Sequence, residues 1–175
     1  AKAQGSTVQV GGTVPANSGR LILNGSSAQT LSGGGTVGAL AINNANGVSL
    51  GDNLTVGSEL RLTSGTLSRS ANETLTLSGG STVRRSDGAI DFAPSFGTPV
   101  NVTYTAGLTT GDELSPSKAG TLTVDAPGAT VTMGTSTDHT LQGDLTIQNG
   151  TFNDNGNTIT VTGGATVSGT GHTWN

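Results

Sequence analysis

The chain has 175 residues, 31% apolar and 10% charged, with 29 glycines, no cysteine and a net charge of −4. A length of this kind suits one domain or one continuous stack of repeats. The charge balance lacks the dense basic patch that nucleic-acid binding requires, no apolar run is long enough to span a bilayer, and disulfides and thiolate metal sites are excluded.

In chain order, the first residues, AKAQGSTVQVGG (1–12), hold a potential strand with Val8 and Val10 on one side. The start Ala-Lys-Ala-Gln fits a mature chain after removal of a signal peptide, and equally an excerpt of a longer protein. Further along, blocks of the chain alternate apolar residues with Thr or Ser over four to six positions and then reach Gly-Gly, Asn-Gly or Ser-Gly. Alternation at period two is the strand signal, and the glycines allow the positive φ angles of tight corners.

The pattern then repeats at long range. Residues 60–67 (LRLTSGTL) match 145–152 (LTIQNGTF) at an offset of 85, and 73–83 (ETLTLSGGSTV) match 157–167 (NTITVTGGATV) at an offset of 84. LAINNANGVSL (40–50) matches LTVDAPGATVT (122–132) at an offset of 82. The repeat therefore covers about 40–83 and 122–167. Leu75, Leu77, Val83, Ile159, Val161 and Val167 are predicted to point inward, and Thr74, Thr76 and Thr82 outward.

No segment carries a helical apolar period. The apolar positions are too few and too small for an antiparallel sandwich or barrel, whereas a solenoid needs only nearest-neighbour coil contacts. The expected fold is all-β, a right-handed parallel β-helix forming a single β-solenoid domain over 1–175. With coils of roughly 20 residues, an offset near 84 is about four coils, and the chain makes about eight. At ~4.8 Å per coil the stack is roughly 40 Å long.

Residues 86–118 interrupt the pattern with three of the five prolines and three of the five aromatics. VNVTYT (100–105) still reads as a strand, and the rest is expected to be a longer loop over one face. Phe92 is expected to seal a wider coil. Phe96 and Tyr104 either do the same or form a contact patch for a neighbour.

NGSSAQTLSGGGTVGALAINNANGVSL (24–50), LTVGSELRLTSGTL (54–67) and GTPVNVTYTAGLTTGDELS (97–115) resemble repeats of secreted and cell-surface β-helix proteins of the Bacteroidetes, Chlorobi and Ignavibacteria type. The resemblance covers about Leu21 to Val167. It implies export, a β-helical stack and an extracellular or cell-surface role.

Little in the chain suggests catalysis. His139 and His172 lie far apart in sequence, and there is no nucleophile elbow or P-loop. The acids are scattered, and the densest charged cluster, Arg84, Arg85, Asp87 and Asp91, reads as a salt-bridged turn. A polysaccharide-active enzyme is the main catalytic alternative. No cofactor is expected. FNDNGNT (152–158) places Asp154, Asn155 and Asn157 around Gly156 as calcium loops do, yet the same string is an ordinary turn sequence. The recurring Thr-x-Thr runs at 74/76, 121/123 and 158/160 raise ice binding, although no fixed coil spacing keeps them. Solvent-facing strand threonine is the preferred explanation.

The chain ends still alternate and carry no capping element, and a bare solenoid edge recruits other chains. The expectation is an extracellular filament or surface fibre whose partners are further copies of the chain, with a surface polysaccharide second. Head-to-tail stacking or strand donation would use Val8, Val10, Phe96, Tyr104, Val167 and Trp174. A slice of a long adhesin stalk is the alternative.

Overall fold

The computed structural model describes residues 1–15, 19–134 and 136–168, and the backbone of Thr173–Trp174. Described strands pair only in parallel, and the described residues contain no helix. The chain winds as a β-solenoid of about eight turns with three faces.

Face I carries the longest ladder. It runs through Lys2–Ala3, Arg20–Leu23, Gly35–Asn43, Leu54–Ser64, Thr82–Arg85, Val100–Tyr104, Ala119–Thr132, Leu145–Asn153 and Ala165–Val167. Equivalent positions run from Lys2 to Ile22, Ala41, Arg61, Arg84, Thr103, Thr123, Thr146 and Thr166, so a coil takes 19 to 23 residues. Face II stacks Thr7–Gln9, Gln29–Ser32, Val48–Leu50, Thr66–Arg69 and Ala89–Ile90. It resumes with Leu108–Thr109 beside the end of Ala119–Thr132, then the end of Leu145–Asn153 and Thr173–Trp174. Face III stacks Gly12–Val14, the starts of Gly35–Asn43 and Leu54–Ser64, then Leu75–Leu77 and Ser95–Phe96. It resumes as His139–Leu141 against Ile159–Val161.

Period two converts directly into columns. Leu21, Leu40, Leu60, Val83, Val102, Leu122, Leu145 and Ala165 stack in register along face I. Leu60 and Leu145 are therefore four coils apart, and the long-range sequence offset is a four-coil step. Leu75, Leu77 and Val83 are fully buried, while Thr76 and Thr82 lie on the outer surface between them. The core is one side chain deep on each face and uses Val, Leu and Ile, whose branched chains fit the pleated surface.

At the corner between faces I and II, side-chain amides replace the missing ladder bonds of the first coils. Gln29 Nε2 donates to Ala3 O (3.1 Å) and Gly5 O (2.8 Å), and Asn44 Nδ2 donates to Ser27 O (2.8 Å) and Gln29 Oε1 (3.0 Å). Both residues are buried, and their amides thereby find partners in backbone carbonyls and in each other.

Gly65 marks the same corner, with φ of 75° and a backbone so close to Asn44 O that a β-carbon would overlap it. Gly128 also has positive φ (67°), but a β-carbon there meets nothing. Gly128→Ala is therefore expected to cost about 1 kcal/mol, the left-handed backbone penalty alone. Gly65→Ala should cost more than about 2 kcal/mol, because backbone must also move. Urea denaturation of the two variants against wild type checks the difference.

Candidate functional site

Three kinds of surface or cluster could carry function: the end coils, the outer faces, and one polar cluster inside the stack.

At the N-terminal end an apolar groove of about 160 Å³ opens between Val8, Val10, Val14 and Leu21, with Ala1 and Arg20 at its edge. Val8 is half-buried against the core and Val10 is buried, its N–H bonded to Ser32 O at 2.8 Å. Val14 is 36% exposed. At the other end Val167 continues the inward column of Ile147 but is 51% exposed, since no strand of the described residues lies over it. Trp174 continues the column of Phe152 by backbone pairing; its side chain lies outside the described residues, as does His172. Phe96 is half-buried against the core. Tyr104 is not a surface contact: it is fully buried, because period two places it in line with Val100 and Val102. Phe92 is buried, with the Arg69 guanidinium 5.1 Å from its ring centre, an arrangement that favours the cation electrostatically.

The outer surfaces are ladders of small polar residues. Thr13, Thr36, Thr55, Thr76 and Ser95 align along face III. Thr7, Thr30, Ser49 and Ser68 align along face II. A shallow groove of about 420 Å³ follows this second ladder and includes Asn46, Thr66 and Asp91. The three Thr-x-Thr runs do not share one surface: Thr123 is on face I, while Thr76 and Thr160 are on face III, in ladders that do not connect.

The Asn-Asp-Asn-Gly string at 153–156 folds as a turn. Asn153 Oδ1 accepts from Asn155 N (2.8 Å), Asp154 Oδ1 from Gly156 N (2.9 Å), and Asp154 O from Asn157 N (3.1 Å). Asn155 has φ of 58°, and its side-chain amide donates to Met133 O at 3.1 Å. The oxygens of Asn153 and Asp154 thus already serve the backbone, as in Asx turns. Among the described residues no three His, Asp or Glu side chains gather as metal ligands.

The charged cluster at 84–91 does not form a salt-bridged turn; its members diverge. Arg84 lies on the outside of face I, and Asp87 and Asp91 are exposed. Arg85, two positions after Val83, turns inward and sits in the column between Leu62 and Tyr104. Its partner is Glu113, a fully buried residue of the polar stretch 111–120. Arg85 Nη1 donates to Glu113 Oε1 (2.7 Å) and Thr109 O (3.1 Å), and Nε donates to Gly88 O (2.5 Å). Glu113 Oε1 also accepts from Tyr104 Oη and Gly111 N, both at 2.9 Å. Glu113 Oε2 is buried and has no hydrogen-bond donor among the described residues. Burial, then the Glu113 carboxylate, push the Tyr104 hydroxyl well above the ordinary tyrosine value of about 10. A phenolate there would lose water and face a negative neighbour.

Buried His139 has Nδ1 2.7 Å from Thr137 O and Nε2 3.3 Å from Leu114 O. Both carbonyls can only accept. No protein-family model, curated protein or solved structure matches the chain.

Tyr104 is the only tyrosine of the chain, so the phenolate absorbance band reports it alone. In the folded protein that band should emerge only well above pH 10, and in denaturant near pH 10. A raised folded value means stability is intact below about pH 10 and falls as pH rises beyond it. Tyr104→Phe should remove that part of the slope in urea melts between pH 8 and 11. Glu113→Leu should cost about 3–5 kcal/mol by leaving Arg85 buried without its counter-charge. Adding Arg85→Met should recover part of the loss instead of adding to it, a non-additivity that a double-mutant cycle measures.

Proposed function

We propose that the chain is an extracellular structural protein, a subunit that polymerises head to tail along the solenoid axis into a filament or surface fibre. The observation that carries this reading is the match between the two end coils. Ala165–Val167 and Lys2–Ala3 belong to the same face I ladder, in the same orientation and with the same inward parity. A second copy stacked in register sets its Ala3 over Val167 and its Lys2 over Thr166. This continues the parallel hydrogen bonding at the usual ~4.8 Å spacing. Val167 and the groove around Val14 then leave water together, and burial of apolar surface favours the contact. The contact joins two different surfaces, so it repeats without closing.

The resemblance to repeats of secreted surface proteins supports the extracellular placement. The hydroxyl-lined groove of face II stays open along such a filament and offers a side surface suited to polysaccharide hydroxyls. In the adhesin-stalk reading, further coils of one polypeptide cover the same edges, and the length of the open reading frame separates the two.

Negative-stain electron microscopy and sedimentation of the concentrated chain test the proposal. Filaments about one solenoid wide are expected. Val14→Lys and Val167→Asp, each burying a charge in the contact, should return the protein to monomers without loss of β signal in circular dichroism. Monodisperse wild-type monomers at high concentration would refute it.

A further inference from the structure

The ladders of faces II and III fail at the same level of the stack. Face II pairing stops after Ala89–Ile90 and resumes at Leu108–Thr109, and face III pairing stops after Ser95–Phe96 and resumes at His139–Leu141. Face I alone runs through, by way of Thr82–Arg85, Val100–Tyr104 and Ala119–Thr132. The apolar core divides at the same place: one cluster runs from Val10 to Val100, the other from Val102 to Phe152.

Corner construction changes there as well. Before the break, single long strands (Gly35–Asn43 and Leu54–Ser64) bend from face III into face I. After it, long strands (Ala119–Thr132 and Leu145–Asn153) bend from face I into face II. The outer residues of face I switch from Arg61 and Arg84 to Thr103, Thr123, Thr146 and Thr166. The ion pairs of Glu59 with Arg20 and Arg61 lie wholly on the N-terminal side.

Arg85 spans the break. It donates to Gly88 O on the N-terminal side and to Thr109 O on the C-terminal side, while Glu113 ties it to Tyr104 and Gly111. The guanidinium supplies hydrogen bonds to carbonyls at a level where strand pairing lapses.

We infer that the solenoid is two cooperative units meeting at Val100–Tyr104, joined by ladder only along face I and clamped together by Arg85, Tyr104 and Glu113. Stacked arrays have stability that is a sum of local and nearest-neighbour terms, so a weakened interface lets one side open before the other. The C-terminal unit opens first, because among the described residues its buried apolar cluster is the smaller, 13 residues against 19. The inference does not depend on filament formation.

Pulse-labelled hydrogen exchange along a urea series, read by mass spectrometry, tests it on the full chain. Two groups of amides are followed: those of Gly35–Asn43 and Leu54–Ser64, and those of Leu145–Asn153. Glu113→Gln should lower the midpoint at which the C-terminal group loses protection by about 1 M urea. The N-terminal midpoint should stay in place, since the clamp is already broken in the half-open state. Tyr104→Phe should act in the same direction with smaller amplitude. Should Glu113→Gln be partly unfolded without urea, protection retained in the N-terminal group alone supports the inference, and loss in both overturns it. A single midpoint shared by both groups in wild type and in both variants also overturns it.

Discussion

Along each ladder, an inward side chain inside the stack sits on the residue one coil before it and under the residue one coil after it. Parallel in-register pairing fixes that vertical neighbour at strand spacing, so a core position is constrained chiefly along its column. Leu, Val and Ile satisfy a column regardless of which of them comes next, and this is why the coils can differ in sequence and still share one backbone. It also explains the low apolar content: one side chain per column per coil is enough, and the surface is left to threonine, serine and asparagine.

The columns were legible because strand parity is legible. Leu60 with Leu145 and Leu62 with Ile147 could be aligned from the alternation and the glycine corners alone, and both pairs share their columns in the structure. Parity, applied without exception, would also have sent Arg85 and Tyr104 inward, since they follow Val83 and Val102 at the spacing of two. Charge argued against this for Arg85, and the nearby Asp87 and Asp91 offered an easier pairing on the surface. Glu113 had no such signal. It lies in a loop with no period, and its burial follows from where the chain must pass between Thr109 and Leu114. The amides of Gln29 and Asn44 were hidden for a similar reason: Gln29 holds an inward parity position, but what it bonds is backbone 24 and 26 residues away.

A buried ion pair is a poor way to gain stability, because desolvation cancels most of its attraction. Apolar residues of similar volume would fill the column between Leu62 and Tyr104 as well as Arg85 does. They would not hydrogen-bond Gly88 O and Thr109 O, and they would not hold the 110–114 segment inside the stack. The network therefore makes sense as a device for specificity. It fixes which coil follows which at a level where two of three ladders give no register information, and where a two-residue slip along face I would keep the inward parity.

The same column rule governs the ends. Inside the stack, a position whose vertical neighbour is unsuitable is repaired from within, by a polar network as at Arg85 or by side-chain amides as at Gln29 and Asn44. Among the described residues, Val167 and Val14 have no vertical neighbour on one side and stay exposed, at 51% and 36%. In the proposed filament, a further copy would meet the exposed Val167 at one end of the stack and the apolar groove around Val14 at the other. The joint meets the column constraint within the chain, and the proposed head-to-tail contact would meet the same constraint between chains.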